Sequence, residues 1–339
     1  MNHFHLTDTC KHFNPTFNEE KPCLTYIPNG QSCGFCGRPN RYRCIADTLN
    51  IPLSHSSVQN YITCHRLYFL KDIMGIRMKD PFVSPAIKMG SLWDACMQKS
   101  SGQTVDIPKL IERYEMADRD VEKVKAVYKA YRTLEIRSEE SPDIQSEISL
   151  CINLPDNPLY IRGFFDRRYP TYYEEDKFTS RPDNYLDPYF ISSQNSTYFL
   201  ADESLEYCVM KPVRVPDLKS TKSHDGESDE EYGERVYQDI LKRPSFYFVG
   251  YNKAKKTFGK KYYRSEFDLE AVKNRYIHIT REINLAKTTM NEGGDAFYAN
   301  DKVCNSVLPG IPCGLKSICK TGCLDTNQFE IRKDKGGEI

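Results

Sequence analysis

Asp166, Glu175 and Lys177 are the side chains of this sequence whose types and spacing most directly suggest chemistry. Glu175 and Lys177 stand two apart, so on a strand both point to one face. A short hairpin would bring Asp166, at the end of the preceding strand, beside them. Two carboxylates on adjacent strands make an oxygen-ligand site for Mg2+ or Mn2+. Such a metal stabilises a pentavalent phosphate and acidifies a bound water, with Lys177 orienting that water or offsetting charge as it develops. The chemistry would be hydrolysis of a phosphodiester. Taken alone, an acid-x-lysine pair recurs by chance, and a Glu–Lys ion pair on a surface hairpin is the plainer reading.

The 13 cysteines supply a second signal. The chain starts MNHFHLTDTCKHF, without a basic region leading into an apolar run, which argues against a signal peptide. No stretch reaches the ~20 apolar residues that cross a bilayer. The expected location is therefore the cytoplasm, where thiols stay reduced and clustered Cys read as metal ligands rather than disulfides. Cys304, Cys313, Cys319 and Cys323 crowd one end, with Cys64 far upstream. Cys10, Cys23, Cys33, Cys36 and Cys44 crowd the other, within a Pro- and Gly-bearing stretch too poor in apolar residues to form a core unaided. Cys33-Gly34-Phe35-Cys36 is a C-x2-C knuckle that, with Cys10 and Cys23, suits tetrahedral zinc in a structural role. Cys44 competes with Cys36 for the fourth place, and His12 is also available. Cys96, Cys151 and Cys208 stand alone and read as small buried apolar residues.

The elements that must position these groups are legible in outline. The 339 residues suffice for one main domain and a smaller module. Ser56-Ser57 would cap a helix running through VQNYITCHRLYFLKDI. Residues 86–99 and 107–136 have helical spacing. Strands are expected over EISLCINL and LYIRGFFDRRY, around the turn Pro155-Asp156-Asn157-Pro158, then over TYYEEDKFT and EYCVMKPVRV. Residues 191–200 suit a helix. Ser228 would cap another over 229–242, SFYFVGYNK reads as a strand, and a long helix spans about 267–289. The pattern gives an α/β sheet core with a helical subdomain inserted ahead of it. The expected divisions are a cysteine-rich module over 1–50, a helical subdomain over 51–145, a core over 146–325 and a polar tail over 326–339.

Several motifs in order carry a family resemblance. Gly163-Phe164-Phe165-Asp166, Glu175-Asp176-Lys177-Phe178-Thr179-Ser180 and Gln194-Asn195-Ser196-Thr197-Tyr198 resemble motif II, motif III and the Gln-x-x-x-Tyr motif of the RecB-like branch of the PD-(D/E)XK nuclease superfamily. In that branch the Gln and Tyr lie one helical turn apart, facing the site and the DNA strand, and Gln194 and Tyr198 have that spacing. The first motif of the family is Gly-x-x-x-His, whose His is a metal ligand. Here Gly90-Ser91-Leu92-Trp93-Asp94 puts Asp94 in that place; its plainer reading is a helix residue at the core edge. Asp217-Leu218-Lys219-Ser220-Thr221 is a rival acid-x-lysine segment. It ranks second, because no Gln-x-x-x-Tyr follows it and the sequence around it resembles the segment after the catalytic strands in phage-type members.

Iron–sulfur members of the branch carry one Cys ahead of motif I and three at the C-terminal end, the last two as C-x5-C. Cys64 resembles the first of these, although His65 stands where the family has Pro. Cys313 and Cys319 match C-x5-C, and Cys304 completes the set, with Cys323 as its alternative. The resemblance implies a [4Fe–4S] cluster with a structural role; spacing alone would equally allow zinc. It also implies a restriction-endonuclease-like mixed sheet flanked by helices. The implied activity is a Mg2+- or Mn2+-dependent deoxyribonuclease, an exonuclease or single-strand nuclease of recombination, repair or replication. A helicase or recombinase partner is common in the family, and a phage source would place the protein in the host cytoplasm. The competing class is a DNA-binding scaffold that keeps the nuclease fold without activity.

The 47 basic and 47 acidic residues cancel, so any nucleic-acid contact must concentrate charge locally. Residues 252–264, NKAKKTFGKKYYR, interleave lysines with aromatics as a phosphate-and-base surface would. Arg264 and Lys273 are candidates to extend it, and a solvated hairpin is the alternative. No base-reading motif is present, so recognition should be largely independent of sequence.

Overall fold

The computed structural model of the chain describes residues 53–79, 83–136, 143–144, 147–152, 159–186, 188–219, 226–291, 296–304, 313–321 and 324–331. The 1–50 segment with Cys10, Cys23, Cys33, Cys36 and Cys44, and likewise Cys323, lies outside the described residues. Two compact units are present, one drawn from Met1–Pro81, Ser149–Arg162 and Lys273–Ile339, the other from Phe82–Ile148 and Gly163–Val272.

Helix α1 (His55–Thr63) is capped by Ser54 rather than by Ser56-Ser57. Ser57 N–H donates to Ser54 Oγ at 3.1 Å and Ser54 N–H to Ser57 Oγ at 2.7 Å, a reciprocal capping box. The expected continuous helix breaks at Cys64, which is extended at φ −164°. It resumes as α2 (His65–Tyr68) and a π turn over Phe69–Ile73, followed by β1 (Ile76–Met78). Helix α3 (Pro85–Ser100) has Ser84 as N-cap and a Pro in its first turn, where a missing N–H costs nothing. The helix expected over 107–136 is two helices, α4 (Ile107–Arg113) and α5 (Asp118–Thr133). The break falls at Glu115, which takes φ 45°. Asp118 and Asp120 in the first turn of α5 suit its positive dipole end and favour a fresh start there.

The strands follow: β2 (Asp143–Ile144), β3 (Glu147–Ile152), β4 (Leu159–Phe164), β5 (Arg167–Arg168) and β6 (Tyr172–Thr179). Then come α6 (Pro188–Ala201), β7 (Tyr207–Arg214) and α7 (Asp229–Lys242), the last capped by Ser228 as its sequence predicts. SFYFVGYNK, expected as a strand, instead begins with the short helix α8 (Pro244–Tyr247). Pro244 presets helical φ, and only Phe248 bridges to the sheet, at Val213. The chain ends through β8 (Lys260–Tyr263), α9 (Leu269–Asn291), α10 (Asp301–Cys304), α11 (Lys316–Thr321) and β9 (Phe329–Ile331). Strand β9 falls in the stretch expected to be a polar tail and pairs antiparallel with β1.

In the Phe82–Ile148 and Gly163–Val272 unit, five strands form a mixed sheet in the order β2-β5-β6-β7-β8. Only β6–β7 is parallel, joined through α6. Phe178 and Val213 on one face pack with Trp93, Val124, Val127, Val236 and Ile240 from α3, α5 and α7. Tyr173, Cys208, Met210 and Tyr262 on the other pack with Tyr198 and Phe199 from α6. Strand β6 is thus buried on both sides, which holds its side chains to one geometry. A mixed sheet with helices on both faces is the α/β architecture expected from the sequence. In the other unit, buried Tyr61, Tyr68, Phe69, Ile279, Ile283 and Phe297 line the core, with the Phe69 and Phe297 rings stacked at 5.1 Å. No helix among the described residues is long and apolar enough to cross a membrane.

Candidate active site

Strand β6 reads YYEEDKFT, and its alternation sends Tyr173, Glu175 and Lys177 toward α6 and Glu174 and Asp176 to the opposite face. Glu175 is 3% exposed. Its Oε1 accepts from Lys177 Nζ and, at 2.9 Å, from Gln194 Nε2 on α6. Gln194 Nε2 also donates to Tyr198 OH at 2.9 Å, and that hydroxyl donates to Phe164 O at 2.8 Å. The i, i+4 pair on α6 therefore ties Glu175 to the end of β4. Gly163 permits this approach: a Cβ there would lie 3.2 Å from the Tyr198 ring. The second carboxylate oxygen, Glu175 Oε2, is buried and has no hydrogen-bond partner among the described residues.

Asp166 does not end a strand. Strand β4 stops at Phe164, and Asp166 sits in the bend before β5, a two-residue strand pairing Arg167 with Glu174. The bend turns Asp166 inward, and Asp176 N–H donates to its Oδ2 at 3.0 Å. Burial, and then the Glu175 charge, push Asp166 well above the usual carboxylate range, with Lys177 opposing. Asp94 on α3 feels the same acidic group. Burial, and then Asp176, raise it to about 7, although its side chain keeps access to solvent. Burial alone would lower Lys177, but Glu175 and Asp166 outweigh it and keep the ammonium charged.

Asp166, Glu175, Lys177, Gln194 and Tyr198 are thus joined by contacts or charge within a single unit, and Asp94 feels the charges of Glu175 and Lys177. Clustered carboxylates with raised pKa values, and a buried oxygen with no donor among the described residues, are features that a hard cation could satisfy. Among the described residues, no three His, Cys, Asp or Glu side chains already converge as a metal-ligand group, and Lys177 holds the inner oxygen of Glu175. The rival pair is placed differently. Asp217 and Lys219 are exposed in the coil after β7.

One expectation about stability follows for the metal-free chain. Asp94 has its folded pKa raised from 3.8 to about 7, so its contribution is favourable below 3.8 and is lost as pH rises through 7. Asp94→Asn should raise the metal-free melting temperature at mildly alkaline pH and leave it unchanged in acid. Melting curves of both proteins in chelator across that range check it.

Sequence reasoning missed the layer beneath the site. Arg167 is 4% exposed; its Nε donates to Glu174 Oε2 at 2.8 Å, and Nη1 and Nη2 donate to the two Asp176 oxygens at 2.6 Å each. Lys211 Nζ at 3.1 Å and Tyr169 OH at 3.2 Å also donate to Glu174 Oε2. Burial would raise Glu174, but Lys211 and Arg167 overcome it and hold the acid at about 2. The network fixes Asp176, whose backbone N–H in turn fixes Asp166. Its signal was present in Arg167 directly after Asp166 and in a lysine amid the apolar residues of β7. It could be read only with the strand register in hand.

The cysteines divide as follows. Cys64, at the break after α1, accepts from Asn300 N–H at 3.3 Å through its Sγ, and Asn300 Nδ2 donates to Thr63 O at 3.0 Å. Cys304 Sγ donates to Asn300 O at 3.4 Å, and Cys313 N–H donates to Cys304 O at 3.1 Å. Cys319 is raised to about 12, by burial and then by Cys313, with Cys64 and Cys304 adding to it. All four are free thiols. Cys96 and Cys208 are buried as expected of lone cysteines, whereas Cys151 is exposed, on the outward side of β3. Arg264, a candidate for the basic patch, is engaged elsewhere. Its Nη1 donates to Phe199 O at 2.5 Å and Asp202 O at 3.1 Å, closing the end of α6.

No curated protein matches the chain. A solved structure described as "Crystal structure of SSO0001" is similar to it at 14% identity and a TM-score of 0.21, over 45% of this chain and 84% of that one. A likeness at that TM-score carries no argument. Residues 52–168, a stretch that takes in Asp94 and Asp166 and stops short of Glu175, match the family model of the PD-(D/E)XK nuclease superfamily, which points to a nuclease-type function.

Proposed function

We propose that this protein is a metal-dependent deoxyribonuclease that hydrolyses phosphodiester bonds. The observation that carries the reading is Glu175: one oxygen held by Lys177 and Gln194, the other buried and without a donor among the described residues, with the Asp166 and Asp94 carboxyls feeling its charge. Asp94, Asp166 and Glu175 are the proposed holders of Mg2+ or Mn2+, which when bound supplies Lewis-acid charge and acidifies a water. Lys177 orients that water or balances charge building on the phosphate. Gln194 keeps the Glu175 carboxylate in place, and Tyr198 fixes Gln194 while closing the site against β4. The finer reading follows the resemblance: an exonuclease or single-strand nuclease serving recombination, repair or replication in the cytoplasm, with a helicase or recombinase as partner and a phage as source.

Cys64, Cys304, Cys313 and Cys319 are the proposed ligands of a [4Fe–4S] cluster. Cys64 and Cys304 meet at Asn300, Cys313 N–H donates to Cys304 O, and Cys319 feels the charge of the other three, which supports the choice. The cluster would staple the C-terminal segment to α1. Cys10, Cys23, Cys33 and Cys36 remain proposed zinc ligands.

The test is digestion of end-labelled DNA by the full chain with Mg2+ or Mn2+ and with EDTA, alongside iron, sulfide and zinc analysis of anaerobically purified protein. Shortened products only with metal are expected. Intact DNA from folded protein that binds the metal would leave a DNA-binding scaffold as the better reading.

A further inference from the structure

Four tyrosine rings line up across the sheet on the face opposite α6. Tyr169 and Tyr172 stack at 4.3 Å and 5° between planes, and Tyr172 and Tyr207 at 4.8 Å and 7°. Tyr263 continues the row at 5.9 Å, tilted by 55°. The row runs from the interior outward: Tyr169 is 1% exposed, Tyr172 7% and Tyr263 52%. It ends on β8, the edge strand of the sheet, where Tyr263 faces Tyr207 across the ladder and leaves about half of its surface in solvent. The strand is also held by Tyr262, whose hydroxyl donates to Leu186 O at 2.7 Å.

Positive charge accompanies the row. Lys261 Nζ lies 4.2 Å over the Tyr207 ring, on the face of the row, while Lys260 belongs to the other face, its Nζ 4.9 Å from the Tyr262 ring centre. Lys260 and Lys261 are exposed on β8, and Lys253 and Lys255 are exposed on the turn closed by the Asn252–Thr257 bridge. Among the described residues none of these four lysines has a carboxylate partner. Lys256, by contrast, is paired with Glu135. Lysines on an edge strand would by themselves do no more than keep other strands from pairing. The exposed tyrosine beside them calls for something with both negative charge and flat faces.

We propose that the β8 edge is a binding track for single-stranded nucleic acid, with an unpaired base stacking on Tyr263 and phosphates meeting Lys261, Lys253 and Lys255. This deepens the nuclease reading and rests on it. A base in a duplex has both faces covered by its neighbours, so stacking on a protein ring selects single strands and tolerates any sequence. Tyr263 lies opposite Tyr207 and so level with Tyr172, five residues from Lys177 along β6 and on the other face of the sheet, which makes the track a surface separate from the carboxylate group.

The experiment is fluorescence anisotropy with a labelled oligothymidylate and a labelled duplex in EDTA, on the full chain and on Tyr263→Ala, Tyr263→Phe and Lys261→Gln. Removing the ring should weaken single-strand binding about tenfold and leave duplex binding unchanged. Tyr263→Phe should bind like wild type, and Lys261→Gln should bind more weakly with a shallower salt dependence. A folded Tyr263→Ala protein that binds single strands like wild type, or that loses duplex binding equally, overturns the track. If the wild type still cleaves DNA in that case, the nuclease reading stands without it. A wild type that neither binds nor cleaves overturns both.

Discussion

Arg167→Leu should unfold the protein at temperatures where the wild type is intact, at a cost of about 3–5 kcal/mol. Arg167 is buried and carries three short bonds to Glu174 and Asp176, so removing it leaves two buried carboxylates short of their partner. Lys211 and Tyr169 still serve Glu174, but among the described residues the Asp176 side chain has no other hydrogen-bond partner. The pH dependence follows from the same contacts. Glu174 has its folded pKa lowered from 4.5 to about 2, so its contribution is complete above 4.5 and is lost as pH falls toward 2. The gap between wild type and variant should be widest near neutrality and narrow below 4.5. Arg167→Lys restores charge but not the fork onto Asp176, so it should recover only part of the stability. Urea unfolding of the three proteins at neutral and acid pH checks this. A variant as stable as wild type would mean that the layer under Asp166 does not support the site.

Lys177→Ala should slow DNA cleavage roughly 100- to 1,000-fold, the loss expected when one positioned catalytic group is removed. It should do so without unfolding the chain, because Lys177 is partly exposed and lies at the rim of the sheet core. Its removal leaves Gln194 as the donor to Glu175 Oε1 and strips the main opposing positive charge from Asp166 and Asp94. Mn2+ binding should therefore survive or tighten while the rate falls. That split between metal affinity and turnover separates a catalytic lysine from one that merely neutralises a carboxylate, and isothermal titration beside single-turnover kinetics measures it.

Much of this site could be read from local spacing. Glu175 and Lys177 share a face because strand period is two, and Gln194 meets Tyr198 because helical neighbours lie four apart. Ser228 announces its helix for the same reason: capping is a local interaction. What the sequence hid depends on non-local pairing. Arg167, Glu174, Asp176 and Lys211 form one network only once β5, β6 and β7 are in register. The break at Glu115 and the short helix at Pro244 went unread because hydrophobic spacing runs straight through both. Asp166 was legible as an acid near a strand end, but its inward turn comes from a bend and a two-residue strand that no pattern marks.

The most direct test is a side-by-side digestion of end-labelled single-stranded DNA by wild type and Lys177→Ala, in Mn2+, in Mg2+ and in EDTA, with both proteins shown to be folded. Cleavage by wild type in metal alone, and its near-complete loss in the variant, is the predicted result. Cutting at equal rates by both proteins, or intact DNA with metal-loaded wild type, would contradict a hydrolytic site built on Asp166, Glu175 and Lys177.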